Sequence, residues 1–94
     1  MNRQEFVKFL DVAINRRVDE NNASPEDNFK RIAVRWTAHL KNMGIDVELT
    51  PRDVAIMMVD LKLARIESGY AEEDSWLDTA GYAACGAEML DGKK

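Results

Sequence analysis

The 94-residue chain has one cysteine, one histidine and two prolines, and none of its hydrophobic runs is long enough to cross a membrane. The single cysteine, Cys85, cannot form a disulfide within the chain, so nothing ties the protein to an oxidising compartment. The start, MNRQEFVKF, carries charges where a signal peptide needs an apolar stretch. With His39 as the only histidine, a histidine-based metal centre is disfavoured. These absences predict a cytoplasmic protein.

Basic residues are outnumbered by acidic ones, 13 to 17, which gives a net charge of −4. Phosphate backbones and anionic membranes bind basic surfaces, so neither duplex nucleic acid nor membrane is expected as a partner. The imbalance lies in the second half, where the stretch from Glu67 to Asp91 contains acidic residues but no basic one. Such a run is either a solvated helix face or a site for a divalent cation.

The length and a hydrophobic content of 46% predict one globular domain over residues 1–94. Helix signals dominate. Residues 2–17 are predicted to form a first helix with one apolar stripe (Phe6, Leu10, Ala13, Ile14), and residues 18–24 a loop. Ser24 and Pro25 then resemble an N-cap and first helical position, and Gly44 a C-terminal stop.

Thr50, Pro51 and Asp53 repeat this start signal, with Thr50 and Asp53 spaced as a capping box, and Gly69 ends the third helix. Apolar residues cover so much of this helix that we expect it to be central. Its predicted main stripe comprises Val54, Met57, Met58, Leu61 and Ala64, and its flank Ala55, Val59 and Ile66.

The last helix is predicted from about Glu72 to Met89 and contains a block of small residues with two glycines, Gly81 and Gly86. Each glycine weakens a helix by roughly 1 kcal/mol relative to alanine, so close approach of another helix is expected, within the chain or across a dimer interface. The fold is therefore predicted to be all-α, a compact bundle of about four helices. Because so small a core gives limited stability, a homo-oligomer is expected.

Four cations are candidates for binding an anionic ligand. Arg31 and Arg35 are one turn apart on the polar face of the second helix. Lys62 is the most informative, because its helical neighbours at 55, 58, 59 and 66 are all apolar. A lysine there must reach water, pair with an acid such as Asp74 or Asp78, or hold an anionic ligand. Arg65, three residues on, is placed to converge with it.

Asp74 and Asp78 are one turn apart and would present two carboxylates on one face of the last helix, a pair suited to Mg²⁺ bound to phosphates. Asp60 on the preceding helix is a further candidate ligand. Trp76 and Tyr82 supply aromatic surface nearby that is able to stack a base, although each is also a plausible core residue. Cys85, among alanines and glycines, is interpreted as a packing residue rather than a nucleophile.

Most of the chain, about residues 27–90, resembles a family of small phage-encoded domains that has no settled function. The resemblance is carried by residues 28–33 (NFKRIA), 50–58 (TPRDVAIMM), 61–65 (LKLAR) and 74–82 (DSWLDTAGY). It implies that the protein acts in the cytoplasm of a phage host.

A more distant resemblance implies an enzyme. Residues 78–82, DTAGY, are similar to the acid-to-tyrosine motif in the last metal-binding helix of MazG-like all-α nucleotide pyrophosphohydrolases. Those enzymes use acids from two helices to bind Mg²⁺ and cleave nucleoside triphosphates. They carry glutamates one turn apart on the earlier helix, whereas here Met57, Leu63 and Ala64 flank Asp60. The first half of the metal-binding set is therefore lacking.

The leading hypothesis is an oligomeric phage protein that binds a nucleotide or other phosphorylated small molecule and sequesters a host nucleotide signal without turnover. In it, Lys62 and Arg65, with Arg31 and Arg35, hold phosphates, and Trp76 or Tyr82 stacks the base. One alternative is a divergent MazG-like, Mg²⁺-dependent pyrophosphohydrolase. Another is a protein-interaction module whose Ala/Gly face on the last helix docks a partner, with no small-molecule ligand.

Overall fold

A computed structural model describes the backbone of residues 1–21 and 25–92 and the side chains of residues 1–15 and 27–89. Within these ranges the chain forms four α-helices and no strand: α1 (Arg3–Asn21), α2 (Pro25–Asn42), α3 (Pro51–Ser68) and α4 (Glu72–Gly92). The predicted all-α class is confirmed. The predicted loop at 18–24 is wrong for residues 18–21, which continue α1 because no glycine or proline interrupts the helix there. The predicted N-cap Ser24 lies outside the described residues.

Hydrogen bonds of short sequence range define the helix ends. The Asn2 backbone N–H donates to Glu5 Oε1 at 2.9 Å, and the Glu5 N–H donates to Asn2 Oδ1 at 2.8 Å, which caps α1. Thr50 and Asp53 form the predicted capping box of α3, with N···O distances of 2.9 and 3.2 Å. Gly44 and Gly69 both have positive φ, 86° and 79°, as expected for residues that end helices.

The core lies where α2, α3 and α4 meet. Helix α3 packs most extensively against α4, α2 packs against α3, and α1 packs chiefly against α4. Among the described side chains the buried hydrophobic residues are Phe29, Ala33, Val54, Ala55 and Met89. Half-buried residues surround them: Ile32, Trp36, Leu49, Met58, Tyr82 and Cys85. The interpretation of Cys85 as a packing residue agrees with this position.

The buried face of α3 differs from the predicted main stripe. Met57 and Leu61 are 41% and 46% exposed, and Ala64 is exposed as well. The face that packs instead combines Val54 and Met58 with the predicted flank, Ala55, Val59 and Ile66. Both partners of α3, α2 and α4, lie on this side of the helix. Apolar residues surround α3, so the sequence pattern alone did not determine which side its neighbours cover.

Helix α1 is the least buried element. Of its predicted stripe, Phe6, Leu10 and Ala13 are half-buried against the bundle, whereas Ile14 is exposed. Val7 and Val12 on its other sides are more than half exposed.

The two glycines of α4 have different surroundings. A Cβ added at Gly86 would lie 3.5 Å from the Cβ of Ala55, so α3 and α4 approach each other closely there. A Cβ added at Gly81 would meet nothing within 4 Å, although Gly81 itself is buried. The expected close approach is therefore found within the chain at Gly86. In the part of the chain that the structure describes, no helix combines the length and apolar character that a membrane span requires.

Candidate functional site

An open groove of about 490 Å³ lies between the start of α1 and the first turns of α4. It is lined by Met1, Asn2, Arg3, Phe6, Val7, Glu73 and Trp76. Trp76 is 47% exposed, and its indole Nε1–H donates to Glu72 Oε2 at 3.2 Å. Because Glu72 lies one turn before Trp76, this bond holds the ring in one orientation on the groove wall.

Charges of both signs surround the apolar floor of the groove. The amino group of Met1 pairs with Glu73 Oε2 at 3.4 Å. Arg3 also lines the groove, and its guanidinium forms no ion pair or hydrogen bond with any residue that the structure describes. Arg3 is therefore available to bind an anionic group next to the exposed indole.

Lys62 reaches across from α3 to α4 and pairs with Asp78, at 3.0 Å between Nζ and Oδ2. The two side chains are only 17% and 28% exposed. This confirms the alternative in which Lys62 balances a carboxylate of the last helix. Its predicted contact with a phosphate stays a prediction, and a phosphate there would compete with Asp78.

The other predicted cations make different contacts from Lys62. The guanidinium carbon of Arg65 sits 5.1 Å from the centre of the Tyr70 ring, a cation–π contact at the end of α3. Arg31 and Arg35 are exposed on α2, and neither forms an ion pair within the described ranges. The structure therefore does not gather the four cations at one place.

Tyr82 is half-buried and contacts Phe29, with ring centres 6.0 Å apart and planes tilted by 34°. It belongs to the wall of the core. Of the two aromatic residues predicted to stack a base, Trp76 is the more exposed.

The predicted metal ligands Asp60, Asp74 and Asp78 do not come together as a set. No group of three or more His, Cys, Asp or Glu side chains that could hold a metal is found among the described residues. Asp60 lies two residues before Lys62, about 200° around the α3 axis, and Lys62 is the one directed at Asp78. Asp60 and Asp74 are both exposed. Mg²⁺ binding stays a prediction.

The candidate residues on α4 divide between two sides of that helix. Trp76 and Asp78 are two residues apart and thus about 200° apart around the axis. Trp76 lies in the groove shared with α1, and Asp78 faces α3. The single site predicted from the sequence is therefore two separate regions, the groove and the Lys62–Asp78 pair.

Comparison with known proteins assigns the chain to a family. Residues 9–90 match a family described as a domain of unknown function, DUF6378. The chain belongs to this family. Two relatives of this chain are each named "Gene 55 protein". The protein of Mycobacterium phage L5 is 42% identical over 71 residues, which cover 74% of this chain and 42% of the relative. That of Mycobacterium phage D29 is 36% identical over 67 residues, 71% of this chain and 41% of the relative.

The chain spans about two fifths of the length of these curated relatives, 42% and 41%. No solved structure matches it. The predicted resemblance to a small phage protein family of unknown function is confirmed, whereas the more distant resemblance to MazG-like enzymes stays a prediction. Trp76, Lys62 and Asp78 lie within the matched DUF6378 region, whereas Arg3 and Phe6 precede it.

Sequence reasoning missed Arg3, Phe6 and Glu73 as parts of the groove. Arg3 and Trp76 are 73 positions apart in the sequence, and only the docking of α1 on α4 brings them together. Phe6 was recognised as apolar, but its periodicity could not show that it borders an opening. Glu73 was read as one of several acids in an acidic run.

Proposed function

We propose that this DUF6378 protein binds a nucleotide in the groove between α1 and α4 and releases it unchanged. The observation that carries the proposal is Trp76, a half-exposed indole on the wall of an apolar groove of about 490 Å³. Small-molecule sites are usually concave, largely apolar and of about 300–1,000 Å³. A planar base would cover the indole face that is now open to water.

Stacking on Trp76 is the main source of affinity in this proposal. Stacking of a base on an aromatic side chain contributes roughly 1–3 kcal/mol to binding. It is available to every base, because each base has a π-face. The bond from the indole to Glu72 favours binding, since the ring needs little further ordering when the ligand arrives. Phe6 and Val7 extend the apolar surface on the α1 side.

Arg3 supplies the contact for a phosphate. Its planar guanidinium can donate two parallel hydrogen bonds to phosphate oxygens, and it has no competing carboxylate among the described residues. The positions of the acids predicted to bind metal support release of the ligand unchanged, because these acids are not gathered at the groove. Asp78 is engaged by Lys62, and Asp60 is on the other face of α3.

A mixed panel of linear and cyclic nucleotides with Mg²⁺ tests the proposal. The purified protein is incubated with the panel, and the free pool is separated by chromatography before and after heat denaturation. We expect one nucleotide to disappear from the pool and to return intact on denaturation. A new product would instead indicate catalysis, in line with the MazG-like alternative. An unchanged pool would contradict the proposal and favour the protein-interaction alternative.

Matched variants locate the site. Trp76→Ala is expected to lose about 5- to 150-fold in affinity, the equivalent of the stacking contribution, and Arg3→Ala is expected to weaken binding of the phosphorylated form more than of the nucleoside. Tyr70→Ala and Lys41→Ala are the controls, because they remove an exposed aromatic and an exposed cation away from the groove. Unchanged affinity in Trp76→Ala, with the fold intact by circular dichroism, would place binding elsewhere.

A further inference from the structure

The chain exposes more surface than a compact monomer of its size. Its accessible surface is 6957 Å², whereas a folded monomer of 10.7 kDa is expected to expose roughly 5,500 Å². The difference exceeds the roughly 800 Å² per partner that a standard protein–protein interface buries. This surface is large enough to include an interface, and the exposed side of α3 is the part whose residue pattern identifies a partner.

A single stripe runs along the exposed side of α3, next to its buried face. Its residues are Arg52, Ile56, Asp60, Leu63 and Glu67, spaced i, i+4, i+8, i+11 and i+15, so they lie within about one quarter of the helix circumference. All five are exposed, including the two large apolar side chains, Ile56 at 48% and Leu63 at 41%. On one flank of the stripe, Met57 and Leu61 add further exposed apolar surface.

The order of residues along this stripe is complementary to itself when reversed. In an antiparallel pair of α3 helices, Arg52 lies opposite Glu67 of the partner subunit, and Ile56 lies opposite Leu63 of the partner subunit. Two-fold symmetry repeats both contacts on the other side of the axis. A parallel pair would instead bring like charges together at each end. Within the described chain neither Arg52 nor Glu67 has an ion-pair partner.

From this pattern we propose that the outward stripe of α3 binds a second copy of this chain, in an antiparallel two-fold dimer. The apolar pairs form the centre of the contact, and two Arg52–Glu67 ion pairs close its ends. Asp60 lies beside the axis, where it meets the same residue of the second copy and weakens the dimer by repulsion. The interface is separate from the groove at Trp76, and the proposal does not depend on nucleotide binding.

Sedimentation equilibrium at low salt, over a range of protein concentrations, tests the dimer. The wild-type chain is expected to show a concentration-dependent monomer–dimer equilibrium. Arg52→Glu and Glu67→Arg should each weaken dimerisation by about tenfold, because each places like charges opposite one another at both ends. The double variant Arg52→Glu/Glu67→Arg should recover the wild-type equilibrium, since it restores both ion pairs with reversed sign. Asp60→Asn should strengthen the dimer.

Arg31→Glu on α2 is the matched control, because it reverses an exposed charge outside the stripe and should leave the equilibrium unchanged. All of these positions are exposed, so circular dichroism is expected to show wild-type helix content in each variant. A wild-type chain that stays monomeric at every concentration would overturn the proposal. So would a dimer that both single variants leave unchanged, or a double variant that is no better than either single variant.

Discussion

Phe29 is the largest of the few side chains that the structure shows buried in the core, and it is 6% exposed. Phe29→Ala is expected to lower the free energy of unfolding by about 3–5 kcal/mol, since it removes buried surface and leaves a cavity. Val34→Ala on the same helix is the control, because Val34 is 69% exposed and its loss should have almost no effect. Urea denaturation followed by circular dichroism measures both changes. Similar stabilities for the two variants would mean that Phe29 is not at the centre of the core.

Variants of the Lys62–Asp78 ion pair test whether Lys62 contributes to stability or to ligand binding. Lys62→Met is expected to lower the free energy of unfolding by about 1–2 kcal/mol, because Asp78 loses a charged partner in a mostly buried position. The double variant Lys62→Met/Asp78→Leu should recover much of that loss. Nucleotide binding in the groove should be retained by both. If Lys62→Met instead has wild-type stability and no longer binds nucleotide, Lys62 is a ligand-binding residue and not a structural one.

At the level of residues, the sequence could identify which side chains are able to bind or react, but it could not show which of them come into contact in the fold. It identified Lys62 as a lysine among apolar neighbours that must reach water, pair with an acid or hold an anion, and it could not decide among the three. It could not assign Trp76 to a groove, since the opposite wall comes from α1. Arg3 and Glu73 gave no local signal, because their roles depend on a contact between the two ends of the chain.

At the level of elements, the helix ends that carry local capping signals are the feature that the sequence predicted best. The capping box of Thr50 and Asp53 depends only on residues three apart, so it is independent of tertiary packing. Thr50→Ala should lower the free energy of unfolding by about 1 kcal/mol, and Thr50→Ser, which keeps the hydroxyl, should have a much smaller effect. Thermal denaturation measures both. Equal effects of the two substitutions would exclude the hydroxyl as the source of the stabilisation.

The glycines of α4 provide a second test at this level. Gly86→Ala is expected to raise the free energy of unfolding by up to about 1 kcal/mol, because the added methyl fits against Ala55 at 3.5 Å and alanine favours the helix. Gly81→Ala should do the same, since its methyl would meet nothing within 4 Å. Calorimetry of the two variants measures the change. A loss of stability at Gly86 would show that α3 cannot accept the extra methyl.

Which face of a helix is buried was harder to predict than where the helix ends. Helix α3 has apolar residues around most of its circumference, and the positions of α2 and α4 decide that Ala55 is covered and Met57 is not. The end of α1 was misassigned for a different reason. Polar residues at 18–21 suggested a loop, but a helix continues through such residues when nothing breaks it.

At the scale of the whole molecule, α1 stands out as weakly attached. It packs chiefly against α4, and its inward side chains, Phe6, Leu10 and Ala13, are only half-buried. We expect native-state hydrogen exchange to show faster exchange for the amides of α1 than for those of α3, because α1 can separate from the bundle while α2–α4 stay folded. A nucleotide in the groove should slow exchange in α1. Uniform protection in all four helices would contradict this.

The principal dimensions, 45 × 31 × 22 Å, describe an elongated molecule rather than a sphere. The sequence predicted the number of helices because start and stop signals separate α2, α3 and α4, and an apolar stripe marks α1. The pairing of helices was not predictable, since apolar stripes of similar strength are compatible with several arrangements. The large total exposed surface likewise appears only once that pairing is known.

The turn from α3 to α4 has a consequence for how the chain folds. Gly69, Tyr70 and Ala71 join the two helices that share the largest interface, and Ala71 has a positive φ of 50°. The most extensive contacts therefore form between neighbours in the sequence, where closing the loop loses little entropy. The α3–α4 hairpin is expected to form early. Helix α2 then packs against it, and α1 docks last.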